Sequence, residues 1–242
     1  MRNTAMKRIL MIFFMCFAQA LSSYAQTTEN DFERGMAKLN LKDYSGAVVD
    51  LTKAIELNPK DEKAYYYRGM AKGNIEEDFR GSIEDLTKAI KLNPMYKEAY
   101  YYRGIAKSFL KDYKGAIKDL TKVIELNPMY EDAYYERGIA KYKLKDNKGA
   151  IKDLTKAIEL NPKYEDAYYY RGMAKGNIND PRGSIEDYTK VIELNPKNAG
   201  TYSIRGMMYL LIYNTESACL DFSKADELGD TDAYENIEKY CN

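Results

Sequence analysis

Six arginines, Arg34, Arg68, Arg103, Arg137, Arg171 and Arg205, each stand directly before a glycine. Each is followed 16 or 17 residues later by an aspartate: Asp50, Asp85, Asp119, Asp153, Asp187 and Asp221 respectively. A guanidinium taken out of water requires a carboxylate partner, so the series reads as six structural ion pairs. The separation is 17 only in the second pair, where the turn GNIEEDFRGS is one residue longer than GNINDPRGS. The aspartate moves with the insertion, as a spatial contact does.

Tyrosines form a second series. AYYYRGMAKGNI occupies 64–75 and returns unchanged at 167–178. On the helical side away from the arginine stripe fall Tyr66, Tyr67, Met70 and Asn74, then Tyr101, Tyr102, Ile105 and Phe109. They are followed by Tyr135, Ile139 and Tyr142, and by Tyr169, Tyr170, Met173 and Asn177. A solvated face is normally charged; an aromatic and aliphatic one marks an interaction surface. Gly73-Asn74 and Gly176-Asn177 remove bulk at matching places and are expected to open notches, while Glu98, Asp132 and Asp166 add acid along the edge. The competing reading is a structural ladder of stacked tyrosines.

Catalytic chemistry has little to work with. The chain contains no histidine, the commonest general base and metal ligand. It has no phosphate-cradling or calcium loop, since GDTD at 229–232 lacks the rest of a calcium-loop spacing. Its acidic residues alternate with lysines in the manner of solvated helix faces. No enzyme activity, catalytic residue, metal site or cofactor is expected. Cys219 and Cys241 either pair in an oxidising compartment, pinning the end of the chain, or remain buried thiols.

The elements that position these residues follow from periodicity. Leu-Asn-Pro recurs at 57–59, 92–94, 126–128, 160–162 and 194–196, and Arg-Gly keeps the same step of about 34. Six units result: 28–61, 62–96, 97–130, 131–164, 165–198 and 199–230, with 231–242 reading as a half-unit cap. Within 97–130, Ala99, Arg103, Ala106 and Leu110 form one helical stripe, and Ala116, Ile117, Leu120, Val123 and Ile124 form a second beyond the break KDYKG. Proline ends the second helix. In the second unit Arg68 shares its stripe with Ala64, Ala71 and Ile75, which places the guanidinium in the core.

A helix-turn-helix of this length, carrying Tyr100, Gly104, Ala106, Tyr113, Ala116, Val123 and Pro128, resembles the tetratricopeptide repeat. The resemblance covers 28–230. It departs from the family pattern at Arg103, where leucine is commoner, and at Lys107, where tyrosine is. It implies an all-α, right-handed superhelical solenoid of stacked helix pairs with a C-terminal capping helix, whose concave groove is lined by the tyrosine face. Some members clamp a chaperone's C-terminal carboxylate with lysines and asparagines there. Tyr66, Met70, Tyr101, Ile105, Tyr135 and Ile139 occupy those places here, so that clamp is absent.

The N-terminus has its own character. Arg2, Lys7 and Arg8 precede the apolar run ILMIFFMCFAQAL, with small residues at 23 and 25. This reads as a secretory signal peptide over 1–25, too short to span a bilayer comfortably, and implies a mature chain that starts near Gln26, is periplasmic or secreted, and has no membrane span. Without 1–25, which hold three basic residues and no acid, 34 basic face 37 acidic residues, a net of −3. That charge gives no reason to expect a nucleic-acid partner. The expected function is an exported scaffold binding a protein or peptide, with self-association open. The rivals are a structural envelope component with tyrosines as packing, and a glycan-binding module.

Overall fold

The computed structural model describes residues 30–75 and 78–241; the expected signal peptide lies outside them. The described residues form thirteen α-helices and no strand. The described residues divide into two compact units, one ending at residue 110 and the other starting at 111. Unit one contains α1 (30–40), α2 (Tyr44–Leu57), α3 (Glu62–Gly73), α4 (Phe79–Leu92) and α5 (Lys97–Phe109). Unit two contains α6 (Tyr113–Leu126), α7 (Glu131–Lys143), α8 (Asn147–Leu160), α9 (Glu165–Asn177), α10 (Pro181–Leu194), α11 (Ala199–Leu211), α12 (Thr215–Glu227) and α13 (Thr231–Tyr240). Within unit one α2 to α5, and within unit two α6 to α13, each pack chiefly on their neighbours in the chain.

Local sequence sets the boundaries. Before α2, α4, α6, α8 and α10 stands Asp-x-x-Gly, whose aspartate (Asp43, Asp78, Asp112, Asp146, Asp180) accepts the glycine N–H as an N-cap. The glycine leaves room for the cap: a Cβ on Gly149 would lie 2.1 Å from Asp146 Oδ2, so the capping carboxylate would have to shift. At the far ends Asn58, Asn93, Asn127, Asn161 and Asn195 leave helical geometry, and each side-chain oxygen accepts the N–H two residues on, across the proline.

The core is built from small residues at close approach. Ala116, Leu120, Val123, Ala150, Leu154 and Ala157 are fully buried. The glycines after Arg34, Arg68, Arg137, Arg171 and Arg205 mark where paired helices touch: a Cβ on Gly138 would come within 2.9 Å of Leu154, and on Gly206 within 2.7 Å of Phe222. Leu110 departs from its expected place on the stripe. It is the C-cap of α5 and 43% exposed, because the helix has already ended there.

Among the described residues no helix is long and apolar enough to cross a membrane, and no group of three or more His, Cys, Asp or Glu is arranged to hold a metal ion.

Candidate functional site

The arginines and aspartates meet in four pairs with the same geometry. Arg68 Nε and Nη2 donate to Asp85 at 2.8 and 2.6 Å, and Arg137 to Asp153 at 2.8 and 2.7 Å. Arg171 with Asp187 and Arg205 with Asp221 repeat the fork. The third nitrogen reaches back to the preceding second helix, where Arg68, Arg137, Arg171 and Arg205 donate to Thr52, Thr121, Thr155 and Thr189. Lys72, Lys141 and Lys175, one turn after their arginines, bind Oδ2 of the same aspartates, the oxygen that Nε also holds, at 2.7–2.9 Å. Arg34 is different. It touches Asp50 with one nitrogen at 3.1 Å, also bonds Asp31, and its side chain is 45% exposed. Arg103 and Asp119 belong to different units, and within unit one Arg103 donates to Thr87.

The three consecutive tyrosines have three separate duties. The first lies under the arginine: Tyr65, Tyr100, Tyr134, Tyr168 and Tyr202 each have a guanidinium 5.4–5.7 Å from the ring centre. The second and third run along the other side. In unit one Phe32, Tyr67, Tyr66, Tyr102 and Tyr101 form a continuous chain of rings with centroids 4.8–5.9 Å apart. In unit two Tyr164, Tyr135, Tyr170 and Tyr169 do the same, with Tyr142 joining at Tyr170 and Tyr188 at Tyr169.

Tyr66 therefore corrects its expected place on the open face. It is only 7% exposed, because Tyr67, Tyr96 and Tyr102 close over it. Burial pushes its hydroxyl pKa well above the usual tyrosine range, and Tyr135 is shifted the same way. Tyr96 and Tyr164 were not singled out in the sequence. Both occupy a helix N-cap without making a capping bond, and their rings pack against Tyr66 and Tyr135, each pair 4.8 Å apart. The available signal was the repeated Asn-Pro-x-Tyr at 93–96, 127–130 and 161–164.

Beside the unit-one ladder opens a pocket of 370 Å³ lined by Met70, Gly73, Asn74, Phe79, Ser82, Tyr102, Ile105, Ala106 and Phe109. Its lip is aromatic: Phe79 and Phe109 stack at 4.5 Å, and Phe109 is 62% and Tyr102 37% exposed. Asn74 does not point its amide into the space but donates it to the Met70 carbonyl at 2.9 Å. The second Gly-Asn has different surroundings. A Cβ on Gly176 would meet Met208 Sδ at 3.5 Å, and Met208 stands on α11 where α5 has Ala106. Ile139 and Met173 are half-buried on α7 and α9, and Asn177 donates to Asn147 at 3.4 Å.

At the end of unit two, Cys219 of α12 and Cys241 after α13 are joined in a disulfide.

Family models described as "Tetratricopeptide repeat" match residues 131–164, and 32–61 with 165–198; one described as "TPR repeat" matches 110–145. The chain therefore contains tetratricopeptide repeats. A curated relative, "Protein SGT1 homolog" of Oryza sativa subsp. japonica, is 39% identical over 61 residues, which are 25% of this chain and 17% of that protein. The chain thus spans about a sixth of that relative's length. Among solved structures, YrrB, described as a TPR protein with an unusual peptide-binding site, is 26% identical with a TM-score of 0.69, covering 78% of this chain and 97% of its own. MamA is 29% identical with a TM-score of 0.64, covering 68% of this chain and 96% of its own.

Proposed function

We propose that this repeat chain is an exported, non-catalytic scaffold that holds a protein or peptide against the tyrosine-bearing faces of its first helices. The pocket between Met70, Tyr102 and Phe109 carries the reading, with an apolar floor, an exposed aromatic lip and a volume of 370 Å³. That size and lining suit an apolar side chain of a bound segment. The ladder tyrosines hold the face rigid, so little side-chain entropy is lost when a partner covers it. Similarity to YrrB, itself described as peptide-binding, supports the same mode of action. Export is supported by the basic start and apolar run of 1–25 and by the Cys219–Cys241 disulfide, a bond that persists in oxidising compartments.

The test is selection from a displayed random-peptide library on the mature chain, followed by affinity measurement on Tyr102→Ala and Phe109→Ala variants checked for folding. Selected peptides with an apolar residue in common, weakened about tenfold or more by either substitution, support the proposal. Peptides that bind both variants as well as the native chain overturn it.

A further inference from the structure

Among the described residues, buried carboxylates are matched with cations. Asp85, Asp153 and Asp187 each hold an arginine and a lysine. Glu136 differs from these aspartates. It stands on α7 where other first helices carry Tyr67, Tyr102 and Tyr170, and Asp132 lies one turn before it. Glu136 is half-buried, and among the described residues neither carboxylate has a cationic partner. A covered carboxylate without a counter-charge is costly, and a like charge one turn away adds to the cost. A positive group placed there would relieve both.

The surroundings suit a cation with a long stem. Tyr135 and Tyr164 stack 4.8 Å apart, and Tyr170 meets Tyr135 edge-on at 6.1 Å. The Tyr164 hydroxyl donates to Asp132 at 2.9 Å, fixing that carboxylate against the rings. Asp166, on α9, adds negative potential at Tyr135. The chain itself shows what such a set accepts. Arg137 lies 5.6 Å from the Tyr134 ring centre with its fork on Asp153. Beside Tyr135 stand a ring and carboxylates of the same kind, without a guanidinium among the described residues.

We propose that the α7–α9 face recognises a basic side chain, arginine or lysine, on an extended partner segment, its charged head between Asp132 and Glu136 and its stem along Tyr135 and Tyr170. This rests on the scaffold reading above and specifies the partner's chemistry: basic where the family's chaperone clamp takes a carboxylate.

The test uses the mature chain and two fluorescein-labelled hexapeptides, one alternating leucine with arginine and the other leucine with glutamate, read by anisotropy at pH 8. A Glu136→Gln, Asp132→Asn variant is compared with a charge-matched control, Glu125→Gln, Glu159→Gln, which alters exposed residues elsewhere. The arginine peptide is expected to bind at least about tenfold more tightly than the glutamate peptide. The Glu136 and Asp132 variant should lose about tenfold while the control stays within about twofold. Equal losses in both variants, or no binding of the arginine peptide, overturn the inference. If library-selected peptides still depend on Phe109 in that case, the scaffold reading stands without it.

Discussion

Arg137 and Asp153 tie three helices together. The guanidinium on α7 forks onto the carboxylate on α8 at 2.8 and 2.7 Å, and its remaining nitrogen donates to Thr121 on α6 at 3.0 Å. Both side chains are largely covered, at 15% and 3% exposure. Removing one partner leaves a charge without its counter-charge, so Asp153→Ala should cost roughly 3–5 kcal/mol. Asp50→Ala should cost less, since Arg34 is already solvated. Urea titration followed by circular dichroism checks the order; equal losses would mean that coverage does not set the energy.

The two copies of Gly-Asn make a matched experiment on the pocket. Ala106→Met places at the first copy the residue that lies against the second, and should abolish binding of pocket-dependent peptides with helicity unchanged. Met208→Ala should open new space beside Gly176 and cost about 2–4 kcal/mol through the lost packing. Peptide affinity and denaturation midpoints of the two variants separate these effects.

Glu136 makes stability depend on pH. Its carboxyl is pushed up to about 7, first by burial and second by the charge of Asp132. Between the ordinary value of 4.5 and about 7 the folded chain keeps a proton that the unfolded chain releases. Stability from this group is therefore full below that window and falls as pH rises through it. Glu136→Gln should flatten the profile and raise stability at pH 8 by on the order of 2 kcal/mol, less than the shift alone implies because water reaches part of the side chain. Thermal midpoints from pH 4 to 8 measure this.

Lys145 takes positive φ, 63°, in the turn from α7 to α8. A side chain there is strained where glycine is not, and Lys145→Gly should raise stability by about 1 kcal/mol. An unchanged or lower denaturation midpoint would show that the lysine makes up the strain elsewhere.

The Cys219–Cys241 bond closes a loop over a sequence separation of 22. Loop-closure entropy alone assigns such a bond about 3 kcal/mol. Cys241→Ser should release α13 selectively: amides 231–240 would exchange faster while α7 and α9 keep their protection. Uniform acceleration would instead make the bond a determinant of the whole unit.

Much of the local architecture was legible in the chain because it depends on neighbours in sequence. Asp146 and Gly149 form their cap within one turn, and Asn161-Pro162 ends α8 by removing a donor and closing its own turn. The fork from Arg137 to Asp153 joins helices adjacent in the chain, so its spacing repeats visibly. The all-α fold and the tetratricopeptide repeats follow from that periodicity.

What the sequence could not decide depends on residues about one repeat away. Tyr66 looks solvent-facing on its own helix, yet it is covered by Tyr96 and Tyr102 of the next turn and helix. The identical segments 64–75 and 167–178 differ because one faces Ala106 and the other Met208. Glu136 reads as one acid among many until the structure shows burial and Asp132, and no cation among the described residues, acting on it. Periodicity determines which helices pair. Side-chain volume and charge contributed by the following helix decide where a pair leaves an open pocket, a closed ladder or an unmatched carboxylate.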